Sequence, residues 1–402
     1  MTLDARRLKE DFPCLDQEID GKPVVYLDNA CMTVKPRCVM DAMNEYYNQY
    51  PGCAGRSVHS FANKVTEKMD EARMIVREFL NADDERECVF MKNTTEGINR
   101  ISGGIGLEKG DRVLTTDKEH NSNLVPWHMQ REWRGAVHQV VKTRDDNTFD
   151  IEAFKEMMGP DVKMVAMGHV ANLDGVAIPA REIIEIAHDH GAMVMLDGAQ
   201  SAPHQAVDVQ DLDVDFFVFS VHKTVGPTGM GIMYGKMEYL KDLKPTTVGG
   251  ETVQDTFLDH SVLRGPPYRC EAGLQDYGGI IGTGAALRYI MDVGRDSIHQ
   301  WELHLNRIMT ERLAGLDGFS IIGPRDPSLR TGIMSFNIAD MLPSDIGTYL
   351  DEEYKVMVRA GRHCVHSWFN ARGVDGSVRA SVYLYNTEED IKIFCDGVEE
   401  LL

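Results

Sequence analysis

Lys223 stands in a setting that favours covalent chemistry. It follows the apolar run DFFVFS and precedes a loop of glycine, proline and threonine, in the stretch FSVHKTVGPTGMG. A lysine amine is a useful nucleophile toward an aldehyde only if its pKa falls or if its neighbours hold the imine. A strand-end lysine that reaches solvent fits the local sequence equally well. The polar residues that end the neighbouring strands decide between the two.

An aspartate ends another apolar run. Asp197 closes MVMLD, and a carboxylate at the edge of a buried strand is costly unless a cation pairs with it. The pyridinium nitrogen of pyridoxal 5'-phosphate (PLP) is such a cation, and an acidic residue is its usual partner. Gln200, three residues on, would then donate to the phenolic oxygen of PLP. The alternative is that Asp197 caps a helix.

Two threonines follow a further strand at a predicted helix start. Thr94 and Thr95 stand in KNTTEGINR, where free backbone N–H groups and the helix dipole favour an anion such as a phosphate. Ser220 and His222 would complete the phosphate site from the other side. Plain helix capping, with Gly97 in the first turn, is the alternative for the threonines.

Two more polar residues follow predicted strand ends. His120, in TTDKEHNSN, could stack on a flat aromatic cofactor and move protons near pH 7, although a lone histidine is usually structural. Asn172, in GHVANLDG, ends another strand. Together with Lys223, Asp197 and the phosphate-binding helix start, these residues form the set expected of a PLP site.

Alternating apolar runs and helical stretches must position these residues. From about Cys88 to Gly235 this alternation predicts an α/β fold with a mostly parallel sheet that is covered on both faces. Ligands bind at the carboxyl ends of such strands. Later elements predict a smaller α/β domain. The segment Lys236–Gly273 has weak periodicity and is predicted to be a linker and loop region near the site.

Size, charge and cysteine spacing limit the class of protein. The 402 residues are too many for one ordinary core, and the net charge of -21 argues against nucleic acid or an anionic membrane as the main partner. No apolar run reaches the ~18 residues of a membrane helix, and no apolar signal core is present, so a cytoplasmic protein is expected. The cysteines form no CxxC pair, so neither a metal site nor a disulfide framework is expected.

Motifs along nearly the whole chain resemble the class V aminotransferase group. They are YLDNA, TTEGIN, EHNSNLVPW, DGAQ, DFFVFSVHKTVGPTGMGIMYGK, GGIIGTGAALRY, VRAGRHC and VRASVYLYNTEEDI. The nearest branch is the SUF-type cysteine desulfurases and selenocysteine lyases. The resemblance implies the PLP-dependent transferase fold type I and a homodimer with its active sites at the subunit interface. We therefore expect an N-terminal segment, residues 1–30, packed on the small domain, a large PLP-binding domain, 31–273, and a small domain, 274–402, that carries a catalytic cysteine loop.

The resemblance also implies roles for these residues. Lys223 would be the Schiff-base lysine, Asp197 the pyridinium partner and His120 the ring stacked on PLP. The other residues implied to bind PLP are Thr94, Thr95, Ser220 and His222 at the phosphate and Asn172 and Gln200 at the phenolic oxygen. The residues implied to bind substrate are Asn172, Arg359 and Arg379. The guanidinium fork of Arg379 suits a carboxylate, although an arginine on a strand surface fits its local sequence as well.

Cys364 matches the family's sulfur-accepting cysteine. Its chemistry needs a thiolate, and a free cysteine with a pKa of ~8.5 is only a few per cent ionised at neutral pH. Arg359, Arg362 and His363 would lower that pKa. In the implied reaction the amine of Lys223 takes the α-proton of L-cysteine, Cys364 attacks the substrate sulfur, and alanine leaves. A persulfide then remains on Cys364 for a downstream acceptor.

Three positions depart from the family pattern. The usual GHHC reads GRHC, which adds the charge of Arg362. The usual DNAA reads DNAC, so Cys31 is either inert packing or a second thiol near the substrate carboxylate. Tyr277 stands where relatives often have a threonine that reaches the partner subunit's phosphate. These departures leave the cofactor assignment intact.

The sequence therefore predicts a PLP-dependent cysteine desulfurase whose sulfur goes to an acceptor protein, for iron–sulfur cluster assembly or thiolation. A selenocysteine lyase, a β-lyase, an epimerase and an aminotransferase are alternatives on the same scaffold. Elimination, epimerisation and transamination need no sulfur acceptor at Cys364. A catalytically silent relative that serves as a binding partner is a further alternative. Retention of Lys223, Asp197, His120 and Cys364 together argues against it.

Overall fold

The structure is a computed structural model that describes residues 3–402. The strands, in chain order, are β1 (Glu18–Ile19), β2 (Lys22–Pro23), β3 (Val25–Tyr26), β4 (Cys88–Met91), β5 (Arg112–Thr116), β6 (Val137–Val141), β7 (Val162–Gly168), β8 (Met193–Asp197), β9 (Phe216–Ser220), β10 (Gly231–Gly235), β11 (Val253–Thr256), β12 (Ser261–Leu263), β13 (Phe319–Ile322), β14 (Ile333–Ile338), β15 (Val356–Met357), β16 (Arg359–Gly361) and β17 (Ser377–Ser381).

The helices, in chain order, are α1 (Ala5–Lys9), α2 (Arg37–Gln49), α3 (Ser60–Leu80), α4 (Thr94–Gly104), α5 (Asn121–Arg134), α6 (Ile151–Met157), α7 (Ala180–Asp189), α8 (Val209–Leu212), α9 (Met237–Asp242), α10 (Tyr277–Val293), α11 (Arg295–Leu313), α12 (Pro343–Tyr354), α13 (His366–Arg372) and α14 (Glu388–Glu399). Short 3-10 helices lie at Pro13–Asp16, Glu85–Glu87, Val221–Lys223, Tyr268–Cys270 and Pro327–Leu329.

A seven-stranded sheet forms the larger layer, in the order β4-β10-β9-β8-β7-β5-β6. Neighbouring strands are parallel except for β10, which runs antiparallel to both β4 and β9. All five residues of β9 are buried, as expected for a strand covered on both faces. The predicted mostly parallel α/β sheet is confirmed, and six of its strands end at the same edge.

Helix α7, which covers this sheet, has one apolar face. In α7 the buried residues are Ala180, Ile183, Ile184 and Ala187, which recur at helical spacing. Asn93 caps α4, because its side chain accepts the backbone N–H of Glu96. Such local signals fix where each helix begins, and hence which residues stand at the strand ends.

A second, four-stranded sheet has the order β13-β14-β17-β16 and is antiparallel throughout. Its apolar residues form a separate core with α11, α12 and α14. The segment before residue 31 contacts this core: β3 pairs in parallel with β15, and Val25 and Leu27 are buried in it. By contrast, Phe12 and α10 pack in the core of the large sheet. The domain boundaries after residues 30 and 273 stay a prediction.

The segment Lys236–Gly273 contains more regular structure than predicted. It holds α9 and a two-stranded hairpin of β11 and β12. The strands are short and mostly exposed, and three of the four residues of β11 are exposed. A hairpin that buries little has no apolar alternation, which is why periodicity did not reveal it. Within residues 3–402, none of the helices is long and apolar enough to cross a membrane.

A buried ion pair ties this segment to the large sheet. Arg73 and Glu271 are 4% and 3% exposed, and their two N–O contacts are 2.7 and 2.8 Å long. Glu271 also accepts the backbone N–H of Phe90 at 2.8 Å. Removal of one partner would leave the other charge buried and unpaired.

We therefore expect Glu271→Ala to lower the free energy of unfolding by about 3–5 kcal/mol. Urea unfolding followed by circular dichroism measures this loss. The control is Glu78→Ala, which removes the exposed pair with Arg288 and should cost about 0–1 kcal/mol. Equal losses in the two variants would contradict the importance of burial.

Candidate active site

A single cavity of about 270 Å³ is lined by every residue that the sequence placed in the site. On the large-sheet side these residues follow strand ends, and on the other side they come from β16, β17 and the loop before α13. They are Thr94, Thr95, His120, Asn172, Asp197, Gln200, Ser220, His222, Lys223, Arg359, Cys364 and Arg379. Their placement together is a property of the structure, whereas their individual roles stay predictions.

Lys223 ends the 3-10 turn that follows β9. Burial lowers the pKa of its ammonium group below the ordinary value, and the nearby Asp197 carboxylate opposes that shift. The loop beyond it packs tightly: a Cβ at Gly226 would lie 2.3 Å from Cγ1 of Val221. Glycine is therefore required there for the turn to keep this course. An amine with a lowered pKa suits attack on an aldehyde.

Asp197 ends β8 with its side chain buried. Burial raises the pKa of the Asp197 carboxyl, while the Ala199 backbone N–H, 2.9 Å from Oδ1, and the Lys223 charge oppose the shift. Residues 199–204 form turns and no helix, so the helix-cap alternative for Asp197 does not hold. A buried carboxylate of this kind is stabilised by a cation, and a pyridinium nitrogen would supply one.

Hydroxyl groups surround the start of α4. The Thr94 backbone N–H donates to Oγ of Ser220 at 2.9 Å, and the two hydroxyl oxygens are 2.7 Å apart. Oγ1 of Thr95 lies 2.7 Å from Oγ of Ser122, a cavity residue that the sequence analysis missed. Its signal was its place in EHNSN, at the start of α5. Hydroxyls at two helix starts form a site for an anion such as a phosphate.

His120 caps α5, and its Nδ1 accepts the backbone N–H of Ser122 at 3.1 Å. Burial, together with the nearby Lys223 and Arg379 charges, lowers the pKa of His120 to about 3. The imidazole is therefore neutral at pH 7, a form suited to stacking on an aromatic ring. Proton transfer by His120 near neutral pH stays a prediction. Burial likewise lowers the pKa of His222 to about 4.

The amide side chains link the cavity wall to its surroundings. Nδ2 of Asn172 donates to the carbonyl of His363 at 2.7 Å, which connects the strand end of β7 to the cysteine loop. Nε2 of Gln200 donates to the carbonyl of Ala30 at 2.7 Å. Oε1 of Gln200 is buried and has no hydrogen-bond partner within residues 3–402. An unpaired polar atom in a cavity wall marks a place for a polar group of a ligand.

Two arginines from the small sheet reach the cavity side by side, since Arg359 and Arg379 are paired across β16 and β17. Arg379 is buried, and its Nη1 donates to the carbonyl of Asn172 at 2.9 Å. Its Nη2 lies 3.6 Å from Oδ1 of Asp28. Burial lowers the pKa of Arg379, and Asp28 opposes that shift. An anionic ligand would stabilise the buried charge of Arg379 and the partly exposed charge of Arg359 beside it.

The cysteine loop has unusual backbone geometry. His363 and Cys364 have φ values of 50° and 58°, and Gly361 has a φ of 124°. Residues other than glycine seldom adopt this region, and such strain is concentrated at functional sites. The carbonyl of Cys364 accepts the backbone N–H of Asn121 at 2.8 Å, so the loop is anchored to the first turn of α5.

His363 and Arg362, beside Cys364, both differ from expectation. Burial lowers the pKa of His363 to about 2, and its Nε2 lies 2.8 Å from Oγ of Ser377, so it is neutral and brings no positive charge to the thiol. Arg362 donates to the carbonyl of Asp375 at 3.0 Å and to Oδ1 of Asn370 at 2.9 Å. It does not line the cavity described above.

The donor set of the cavity fits PLP. Hydroxyls at the start of α4 suit the phosphate, Asp197 suits the pyridinium nitrogen, and Lys223 suits the aldehyde. The unpaired Oε1 of Gln200 leaves a polar position for the ring substituents. Tyr277, the third departure from the family pattern, is buried against Tyr46, with 6.3 Å between ring centroids, and lies outside this cavity.

Glu119 is a cavity residue that the sequence analysis did not single out. It is 3% exposed, and its oxygens accept the hydroxyl of Thr116 at 2.6 Å, the amide of Asn123 at 2.8 Å and the backbone N–H of Gly168 at 3.0 Å. It thus joins β5, β7 and the first turn of α5 directly before His120. Burial outweighs these donors and raises the pKa of Glu119 to about 7.

This shift predicts a pH-dependent stability. Between pH 4.5 and 7 the folded protein keeps a proton on Glu119 that the unfolded chain has released. The wild type should therefore lose up to about 3 kcal/mol of unfolding free energy over that range through this group, and Glu119→Gln should not. Urea unfolding at several pH values measures the difference. Glu132→Gln, at an exposed position of α5, should follow the wild-type profile, whereas a constant gap between wild type and Glu119→Gln would contradict the prediction.

Comparisons with known proteins show the family of the chain. Residues 25–394 match the sequence profile of the aminotransferase class-V family. A probable cysteine desulfurase of Halalkalibacterium halodurans is 39% identical to this chain. The alignment covers 99% of this chain and 98% of the relative. A cysteine desulfurase of Salmonella agona is 36% identical over 100% of this chain and 99% of its own.

Two solved structures have the same fold as this chain. The apo cysteine desulfurase of Thermococcus onnurineus NA1 superimposes with a TM-score of 0.94 at 36% identity, covering 100% of this chain and 98% of that one. The cysteine desulfurase CsdA of Escherichia coli superimposes with a TM-score of 0.92 at 33% identity over 100% of both chains. These matches confirm the predicted fold type. The chain belongs to the class-V aminotransferase family.

Proposed function

We propose that this protein is a PLP-dependent cysteine desulfurase that converts L-cysteine to L-alanine and keeps the sulfur as a persulfide on Cys364. The observation that carries the proposal is that Cys364 and Lys223 line one cavity with Asp197 and two arginines. An aminotransferase, an epimerase or a β-lyase does not require a thiol at that place. Full-length relatives with 36–39% identity that are named cysteine desulfurases support the same assignment.

Residues at several strand ends would hold the cofactor. Thr94, Thr95, Ser220 and His222 would bind the phosphate, Asp197 would pair with the pyridinium nitrogen, and Lys223 would bond to the aldehyde carbon. His120 would stack on the ring, and Asn172 and Gln200 would bind near the phenolic oxygen. When bound, PLP supplies an electron sink for charge that develops at the substrate α-carbon.

The chain's own residues carry out the remaining steps. Arg379 binds the substrate carboxylate with its guanidinium fork, and Arg359 and Asn172 lie beside it. The substrate amine takes the place of Lys223, and the released Lys223 amine, whose pKa burial has lowered, removes the α-proton and holds it at Nζ. Arg379, in β17 of the small sheet, thus binds the substrate, and Lys223, after β9 of the large sheet, deprotonates it.

The thiolate of Cys364 then attacks the sulfur of the substrate. A new S–S bond forms, and the C–S bond of L-cysteine breaks with its electron pair left on carbon. That carbon takes a proton, the α-carbon takes back the proton held at Nζ of Lys223, alanine leaves, and a persulfide remains on Cys364. No external oxidant or reductant is needed, because the substrate carbon is reduced as its sulfur is oxidised to the sulfane level.

Product analysis tests the proposal. The purified holoenzyme is incubated with L-cysteine and a thiol reductant, and alanine, sulfide, pyruvate and ammonia are measured. We expect alanine and sulfide in equal amounts. Pyruvate with ammonia would instead identify a β-lyase, and turnover of L-selenocysteine with none of L-cysteine would identify a selenocysteine lyase.

The proposal includes a homodimer and a sulfur-acceptor protein, with delivery to iron–sulfur cluster assembly or thiolation in the cytoplasm. The dimer is supported by apolar side chains that a single chain leaves exposed, such as Val58 at 95% and Leu258 at the tip of the β11–β12 hairpin. The net charge of -21 supports the absence of nucleic acid and membrane partners. Light scattering should give about twice the mass of one 45.1 kDa chain.

A further inference from the structure

The cavity contains a second thiol in addition to Cys364. Cys31, between β3 and α2, lines the same cavity, and Nη1 of Arg359 donates to its Sγ at 3.2 Å. The amine of Lys223 lines this cavity together with both cysteines. Two thiols and this amine are therefore placed in one cavity of about 270 Å³.

Unpaired polar atoms lie in the same wall. Nε of Arg379 and Nδ1 of His363 are buried and have no hydrogen-bond partner among residues 3–402. Both residues line the cavity, and they are 2% and 5% exposed. Buried nitrogen atoms of this kind are normally paired, so the cavity wall offers two polar positions for a ligand.

Cys31 differs from the cysteines that only fill space. Cys88 and Cys395 are buried in apolar cores, and burial raises the pKa of each thiol to about 12. Cys31 is partly exposed, faces the cavity and contacts a guanidinium. A thiol beside a cation in a partly open site is the kind that reacts. The inert-packing alternative therefore does not describe its surroundings.

We propose that Cys31 is a second sulfur carrier, which takes the sulfane sulfur from the persulfide of Cys364. The Cys31 sulfur attacks the outer sulfur of the Cys364 persulfide, the S–S bond at Cys364 breaks, and a new S–S bond forms at Cys31. The proton of the Cys31 thiol passes to the departing Cys364 thiolate. The step begins and ends with one thiol and one persulfide, so it consumes no oxidant or reductant.

The transfer returns Cys364 to its reactive form while the first sulfur is still on the enzyme. Each chain then takes up two sulfane sulfurs before an acceptor or a reductant is needed. The inference rests on the proposed desulfurase function, because the first persulfide must come from L-cysteine. It goes beyond that function by giving this chain a storage site at Cys31.

A rapid-quench experiment tests the storage site. The holoenzyme is mixed with L-cysteine without added reductant, and alanine is counted per chain in the burst before steady turnover. We expect about two alanines for the wild type and about one for Cys31→Ser, a twofold difference that follows from one sulfur per carrier thiol. Cys38→Ser removes an exposed thiol that does not line the cavity and should keep the burst of two.

Mass spectrometry of alkylated peptides locates the sulfur in the same samples. The Cys31 peptide should carry one extra sulfur atom in the wild type and none in Cys364→Ser. Sulfur on Cys364 alone, a Cys31–Cys364 disulfide, or sulfur on Cys31 in Cys364→Ser would each overturn the transfer while leaving alanine formation in place. Absence of both alanine and sulfur would overturn the desulfurase function itself, and the storage site with it.

Discussion

Replacement of Lys223 by alanine should reduce L-cysteine turnover by at least about 10²–10⁴-fold, the range expected when one acid–base group is lost. Among the described residues 3–402, no other lysine is placed to substitute for it. Lys118 also lines the cavity, but its Nζ is bound to Asp174 at 3.2 Å and to the carbonyl of Asn147 at 2.7 Å. The loss should therefore appear in kcat rather than in stability.

A chemical readout separates this role from a structural one. Borohydride should fix the cofactor covalently to the wild type and leave Lys223→Ala unlabelled, as measured by the mass of the intact chain. Lys241→Ala, at an exposed position in α9, should retain both turnover and labelling. Equal labelling of Lys223→Ala and the wild type would exclude Lys223 as the covalent partner.

The site residues on the large sheet were predictable because their signal is local. Thr94, His120, Asn172, Asp197 and Lys223 each follow an apolar run, and parallel strands bring their carboxyl ends to one edge. The antiparallel strand β10 does not disturb this, since β4 and β9 on either side of it still point the same way.

The arrangement across the two sheets was not predictable from local patterns. Arg359 and Arg379 are ordinary strand residues until the register of β16 and β17 pairs them, and only the resemblance to a family indicated Arg379. The contact of Arg359 with Cys31 joins residues 328 positions apart. No spacing rule covers such a contact, because it depends on how the two sheets pack.

Glu119 and His120 show a different limit. The sequence gives their types, but their charge states depend on burial. Burial raises the pKa of Glu119 to about 7, and burial lowers the pKa of His120 to about 3. Two neighbouring residues are therefore shifted in opposite directions, since burial disfavours the charged form of each. Proton transfer by His120 near pH 7 was expected from the ordinary pKa of histidine. With the lowered pKa, it requires a change in the surroundings of His120 on ligand binding.

Replacement of Cys364 by serine should reduce the formation of alanine and sulfide from L-cysteine by at least about 100-fold, equivalent to about 2.7 kcal/mol of activation free energy. The serine side chain has no sulfur atom, so it can neither form a thiolate nor hold a persulfide. The carbonyl of Cys364 accepts the N–H of Asn121 through the backbone, so serine should keep the loop in place. Substrate binding should persist, because Arg379 and Lys223 belong to other elements.

This independence of the two halves of the reaction gives a sharp test. In deuterated buffer, Cys364→Ser should still exchange the α-proton of L-cysteine, which NMR detects, because that step belongs to Lys223. Its formation of alanine and sulfide should not exceed the rate that the added thiol alone supports. Cys14→Ser, at an exposed thiol outside the cavity, should behave as the wild type. Full alanine formation by Cys364→Ser would show that the substrate sulfur leaves without a protein acceptor, and that the thiol in the strained loop has another purpose.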